Sequence, residues 1–394
     1  MIGARLSANV FQAVNIILLA RAVSPSDIGL TSAVIGLCMV LFTITDFGLS
    51  TLISKSYAHG DHVMVTSALR YTTLTSWTFG AFALAGALGL SSIGVIPVSL
   101  SILTLAVAVD RCVEFRLSVP MAANLKVEPS MSILIRRVAQ LGLYIGLVAI
   151  GVPALWGYST AFLLGAMAGY FQSTLFLRRL VGKESRRRPA KEVFGAGFAF
   201  GVTNVSVQIQ YLDSFLVSAF SGAHNAGLYA AASKVTSPLL LFPGTLAASV
   251  LPHAARSTPP QARSLGVRVV IVFTAVLILG APLGFVLAEP VCALLYGDAY
   301  RAAGPPLAFL LVGIPFAIVA AALSAILQAH GDEGFVAKLG VVFSLAFVCA
   351  VSVGAVRGGP TGAAIASTVV YVVKCIPLMY RMSRRTAMPE SLQS

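Results

Sequence analysis

Residues 305–327 read PPLAFLLVGIPFAIVAAALSAIL, twenty-three residues without a charged side chain. Wound as a helix, that stretch is long enough to cross the roughly 30 Å of hydrocarbon in a bilayer. Comparable runs recur from one end of the chain to the other. Helices are expected at roughly 2–22, 29–53, 66–90, 93–109, 131–151, 153–177, 194–220, 227–251, 266–288, 305–327, 335–355 and 360–380. The connectors are short and carry turn chemistry, as in Ser24-Pro25-Ser26-Asp27 and Arg357-Gly358-Gly359-Pro360, so successive helices should run antiparallel. The expected fold class is all-α, a polytopic membrane protein of about twelve transmembrane helices.

Composition points the same way, because 57% hydrophobic and 10% charged residues over 394 positions leave too little polar surface to cover a water-soluble globule. The formal charge of +13 does not indicate nucleic acid, since the basic residues sit in short connectors rather than on one face or an aromatic platform. Cys38, Cys112, Cys292, Cys349 and Cys375 are scattered singly, with no CxxC pair and no histidine at ligand spacing, and read as small buried hydrophobes. His59-Gly60-Asp61-His62 reads as a solvated turn in preference to a metal clip. No GxxxxGK[ST] loop occurs, and Gly197 with Gly201 reads instead as a small-residue face for close helix contact. Neither a metal, a cofactor nor a catalytic constellation is expected. The first apolar run contains Arg5, Asn9, Gln12 and Asn15 with no small-residue cleavage pattern after it, so it reads as a membrane helix and not as a signal peptide.

Lysine and arginine placement orients the chain. With Arg5, Lys234 and Lys374 set aside as intramembrane, every other basic residue except Arg21, Arg301 and Arg357 falls on the N-terminal side of the expected bilayer. Positive connectors are retained in the cytoplasm, so both termini are expected there. The segment RRLVGKESRRRPAK (178–191) lies near the midpoint and separates two halves that superpose with an offset of 198 residues. That register sets Gly29-Leu30 on Gly227-Leu228, Ala33 on Ala231, Gln12 on Gln210 and Asn15 on Asp213. The expected organisation is an N-terminal lobe over 1–180, a basic cytoplasmic linker over 181–193, a C-terminal lobe over 194–380 and a cytoplasmic tail over 381–394. Six helices in each half would make parallel, pseudo-symmetric repeats.

At this point the residues carry a family resemblance. The run LLARAVSPSDIGL (18–30), followed by TDFGLSTLI (45–53), resembles the opening of polysaccharide-biosynthesis membrane proteins, the Wzx-type oligosaccharide flippases of the multidrug, oligosaccharidyl-lipid and polysaccharide exporter superfamily. Asp213, GLYAAASK (227–234) and LLYGDAY (294–300) are similar to the second lobe of that family. One departure is that the chain enters its first helix without the short basic lead expected of such proteins. The resemblance implies two six-helix lobes around a central cavity and movement of a polyprenyl-diphosphate oligosaccharide by alternating access. It also implies residence in the bacterial inner membrane, a monomeric working unit and a polysaccharide polymerase as a candidate partner. The repeat unit carried could belong to exopolysaccharide, O-antigen or capsule.

Such a substrate needs cations for its diphosphate and amides or hydroxyls for its sugars. Arg5, Asn9, Gln12 and Asn15 share one face of the first helix, and Thr203, Ser206, Gln210 and Asp213 repeat that spacing in the seventh, broadened by Asn204 and Gln208. These stripes are expected to contact substrate, against the alternative of helix-to-helix hydrogen bonds. Charges at bilayer depth usually have a task or a partner. Lys234 is the leading candidate for the diphosphate, with Asp213 as its ion-pair partner or a protonation switch, and Arg5 and Lys374 are further cations. Asp46 is a coupling or gating candidate for which helix capping is the favoured reading. Asp110, Arg111, Glu114 and Arg116 read as an interfacial helix end with local ion pairs, and prolines 238, 243, 282, 306 and 315 as kinks. A multidrug exporter of the same superfamily should have a more acidic site, and a membrane-embedded transferase or ligase should have a larger soluble loop or a cluster of acids and histidines.

Overall fold

The computed structural model describes residues 2–125, 127–181, 187–240, 242–244, 246–247, 250, 254 and 259–385. Among them every regular element is helical and no strand occurs. In chain order the helices are α1 (Ile2–Ala22), α2 (Pro25–Asp46), α3 (Leu49–Ala58), α4 (His62–Ser92), α5 (Ser99–Ala122), α6 (Val127–Ala149), α7 (Ala154–Leu180), α8 (Ala190–Gln208) and α9 (Asp213–Ser221). They continue as α10 (Ala223–Thr236), α11 (Pro259–Tyr296), α12 (Gly304–Ala329) and α13 (Glu333–Arg385). Short 3-10 turns at Ile209–Leu212 and Asp298–Ala303 join α8 to α9 and α11 to α12. α13 is two spans in one, since Gly358 and Gly359 leave the helical region and Gly359 takes a φ of 56°. Every expected span falls on one of these helices, and the chain is an all-α polytopic membrane protein.

Local chemistry explains the boundaries. Ser24 caps α2 through a reciprocal box, its hydroxyl accepting from the Asp27 amide while the Asp27 carboxylate accepts from the Ser24 amide, and Pro25 supplies a preset φ at the first position. Asp61 caps α4 by accepting from the Met64 amide at 3.0 Å. Arg188, just ahead of α8, is tied down on several sides. Its amide donates to Ser67, its carbonyl accepts from Tyr71, and its guanidinium meets Glu192 and Asp61. The Glu192 hydrogen bond, then the charges of Asp61 and Glu192, raise its pKa above the ordinary arginine value.

Two expectations are corrected. The second helix, expected to be continuous over 29–53, breaks after Asp46, where Phe47 (φ 50°) and Gly48 (φ 74°) are both left-handed. The fourth helix, expected to end at 109, continues as α5 to Ala122. The charged cluster from Asp110 to Arg116 is therefore in mid-helix and not at an interfacial end. Its carboxylates find guanidinium partners on α6, which removes the need for water.

The contacts divide the chain into two compact units, Met1–Phe215 and Leu216–Ser394. In the first, α5 is the central helix, buried along most of its length and packed by α2, α3, α4, α6 and α7. In the second, α12 holds that place against α10, α11 and α13. The helix starts reproduce the internal repeat, for α2 begins at 25 and α10 at 223, which is the 198-residue offset of the sequence. Later the offset lengthens, as α5 starts at 99 and α12 at 304, and the 3-10 turn Asp298–Ala303 lies where the extra residues enter. Large apolar side chains left outside the packing, such as Ile278, Leu279 and Val286 of α11, suit acyl chains better than water.

Glycines set the two tightest approaches in the first unit. A Cβ on Gly201 would lie 2.8 Å from the Phe47 carbonyl carbon, and one on Gly48 would lie 2.2 Å from the Gly201 nitrogen, so the break after α2 rests backbone to backbone on α8. The small-residue face expected at Gly197 and Gly201 is used in this contact. On α7, a Cβ at Gly169 would meet Arg136 Cδ at 2.3 Å. Gly201→Leu and Gly169→Val should each cost about 1–3 kcal/mol through overpacking. Gly142→Ala and Gly146→Ala, where a Cβ meets nothing within 4 Å, should be neutral or slightly stabilising. Thermal unfolding in detergent decides; equal melting temperatures for all four variants would mean these approaches carry no packing constraint.

Candidate functional site

The sequence of α6 places Ser132, Arg136, Gln140 and Tyr144 four residues apart, and all four are buried on one face of that helix. On α5 the acids Asp110 and Glu114 are likewise one turn apart. Arg136 bridges them, one terminal nitrogen on Asp110 Oδ1 and the other on Glu114 Oε1. Its side chain is 2% exposed, whereas that of Glu114 is 36% exposed, so the pair is sealed at Asp110 and open at Glu114. Arg137 reaches the other Asp110 oxygen at 3.5 Å, accepts Gln140 Oε1 as a second partner at 3.3 Å and lies 5.4 Å from the centre of the Phe162 ring. Arg111 also acts electrostatically on Asp110.

Further arginines extend this network. Arg116 donates to the Tyr170 hydroxyl at 2.7 Å and to Thr174, with its guanidinium 3.7 Å from the Tyr170 ring centre. Arg111 directs one nitrogen at the Met39 thioether at 2.7 Å, and its Nε is buried without a hydrogen-bond partner. A thioether is a weak acceptor for a charged donor. Nearby on α2, Asp46 is buried, accepts from the Ser50 hydroxyl at 3.0 Å, and has its other carboxylate oxygen unpartnered. Asp46 thus links α2 to α3 across the break, the geometry of a capping group.

The residues singled out from sequence fall as follows. Asn9 and Gln12 of α1 are half-buried, and Asn15 is 1% exposed with neither amide atom hydrogen-bonded. Arg5 belongs to α1, but its side chain and that of Thr203 lie outside the described residues. Asn204 donates to the Thr51 hydroxyl at 3.4 Å, while Ser206 and Gln208 are half-buried on α8 and Gln210 lies in the 3-10 turn. Asp213 opens α9 and accepts from the Ser214 amide at 2.6 Å. These belong to the first unit. Lys234, near the end of α10, and Lys374, in the second half of α13, belong to the second and are half-buried. The cluster of Asp110, Glu114, Arg136 and Arg137 was not among the expected site residues. The four-residue spacing of polar positions in α6 was its signal, hidden because Arg136 and Arg137 looked like the basic start of a membrane helix.

Comparison with known proteins narrows the reading. The profile of the family described as polysaccharide biosynthesis protein matches residues 1–258. By sequence, no characterised protein matches the chain. Among solved structures, the chain is similar to an inward-facing multidrug resistance MATE family transporter of the MOP superfamily, with a TM-score of 0.74, 13% identity and 97% and 96% of the two chains covered. It is similar to the lipid II flippase MurJ in an inward closed conformation, with a TM-score of 0.73, 14% identity and 96% and 86% covered. A Vibrio cholerae MATE transporter, VcmN, aligns with a TM-score of 0.63 and 13% identity over 98% or more of this chain and 95% of its own. These likenesses establish a shared fold, and with a family profile spanning more than half of its length the chain belongs to the polysaccharide biosynthesis protein family.

Proposed function

We propose that the protein moves a polyprenyl-diphosphate-linked oligosaccharide from the inner to the outer leaflet of a bacterial inner membrane by alternating access, with both termini cytoplasmic. The observation that carries this reading is the sign of the charge inside the first unit: Arg111, Arg116, Arg136 and Arg137 against Asp110, Glu114 and Asp46. An exporter of cationic drugs is better served by unneutralised acids, and here the two acids of α5 are already occupied by Arg136. Family membership supplies the polysaccharide context. The diphosphate and sugars cannot cross hydrocarbon unaided, because each unsatisfied polar group there costs several kcal/mol. The polyprenyl tail can remain in lipid throughout. Asn9, Gln12, Asn15, Asn204, Ser206, Gln208 and Gln210 offer hydrogen bonds to sugars, and Lys234, Lys374 and Arg5 offer positive charge.

Outward movement of roughly two negative charges is favoured by about 4 to 5 kcal/mol per 100 mV of potential, negative inside. Purified protein in proteoliposomes should therefore move a labelled polyprenyl-diphosphate oligosaccharide to the far leaflet, faster when a negative-inside potential is imposed. Lys234→Ala and Asp213→Ala should each slow the step at least about tenfold, equivalent to ~1.4 kcal/mol of barrier. Absence of movement by the normal protein would sink the function, and unaltered rates in both variants would sink these two assignments.

A further inference from the structure

The repeat allows one half of the molecule to serve as a control for the other. Counting from the helix starts, Asp110, Arg111, Glu114 and Arg116 of α5 correspond to Pro315, Phe316, Val319 and Ala321 of α12. Arg136 and Arg137 of α6 correspond in the same way to Val342 and Phe343 of α13. The second unit thus builds the same central helix from apolar side chains alone. The architecture does not require the charges, which are expensive within a membrane and accordingly mark a task.

The task follows from what is left over once Arg136 has taken both acids. Arg137 retains one carboxylate oxygen at the long distance of 3.5 Å and an amide oxygen at 3.3 Å. Arg111 has a thioether and a buried Nε with no acceptor. Asp110 lies within electrostatic range of all three guanidinium groups, so Arg111 and Arg137 flank the same point on α5 and α6. Arginine presents five donors in a planar fork suited to phosphoryl oxygens, and the cluster is net positive even with Asp46 counted. Arg136 is held immobile by Asp110, Glu114 and the Gly169 groove, and so serves to position the field and not to bind. The geometry points to a phosphoryl-anion seat at Arg111 and Arg137, which takes the diphosphate of the lipid-linked substrate. This assignment rests on the proposed function for the identity of the anion, though not for the existence of the seat.

The same chemistry is offered by a phospholipid headgroup, so the test must separate the two. Full-length protein in phosphatidylcholine nanodiscs would be titrated with undecaprenyl diphosphate, undecaprenyl monophosphate, inorganic pyrophosphate and phosphatidylglycerol, with binding read by native mass spectrometry. The normal protein should prefer the diphosphate lipid to phosphatidylglycerol by at least about tenfold. Arg111→Gln and Arg137→Gln should each reduce diphosphate binding about tenfold or more, while Arg70→Gln, an exposed residue of α4, should leave it unchanged. Should the glutamine variants not fold, Arg111→Lys and Arg137→Lys keep the charge without the fork and should bind several-fold more weakly. Diphosphate affinity equal to normal in the folded variants would overturn the seat. Equal, arginine-dependent binding of phosphatidylglycerol would overturn its assignment to the substrate. Flipping by the normal protein, measured in parallel, keeps the two proposals apart: flipping with unaltered binding in the variants leaves the function standing without this seat. Arginine-dependent diphosphate binding without flipping leaves the seat standing without the function.

Discussion

A fully buried guanidinium in a membrane-spanning bundle is tolerated only when its charge and its donors are answered by protein, because the surrounding medium answers neither. Arg136 meets that condition with two carboxylates one turn apart on α5. The arrangement constrains its neighbours: α7 must be glycine at 169 to admit the arginine stem, and α5 must stay helical past Asp110 to present both acids. Removing one member of such a set leaves an uncompensated buried charge, typically at a cost of about 3–5 kcal/mol. The three central helices of the first unit are in this sense fixed to one another by a single side chain.

The second unit reaches a similar arrangement by another route. Its central helix α12 carries no charge, and its helices meet through small residues and backbone acceptors instead. A Cβ on Gly354 would lie 2.4 Å from the Gly362 carbonyl oxygen, and Thr368 donates to the Phe309 carbonyl at 2.7 Å. These devices give close packing without a desolvation penalty. A shared topology with two different interiors means that the ionic interior of the first unit is a choice imposed on the fold and not a requirement of it.

Much of the architecture was legible in the sequence because lipid leaves few options: long apolar runs must be helices, and short connectors must make them antiparallel. The repeat was legible for the same reason, since Ser24 and Gly222 each end a connector and start a helix, and the 198-residue offset follows from those two residues. What escaped was the end of α5. Asp110, Arg111, Glu114 and Arg116 have the composition of a helix end meeting water, and only their partners on α6 reveal that no water is needed. The break at Phe47-Gly48 escaped for a different reason, as the Asp-Phe-Gly run lies between two apolar stretches and a single glycine does not end a helix by itself. Of the site residues, the capping geometry of Asp46 agrees with the reading favoured from sequence. The stripes on α1 and α8 were visible as polar spacing, but spacing cannot distinguish a substrate-facing amide from one that faces another helix.

Asn15 illustrates that last difficulty and also how it resolves physically. Its side chain is 1% exposed, and neither its amide nitrogen nor its oxygen has a hydrogen-bond partner among the described residues. An amide used as glue between helices would be satisfied in the packed state, since its contribution to packing is the hydrogen bond itself. One left unsatisfied instead costs about 1–3 kcal/mol, which the fold gains nothing by accepting unless another state or a bound molecule supplies the partner. The same reasoning applies to the Nε of Arg111 and the second oxygen of Asp46, both buried and without a partner. Unmet donors and acceptors on α1, α2 and α5, in a unit whose other charges are tightly paired, are the mark of a protein whose polar interior is completed by what passes through it.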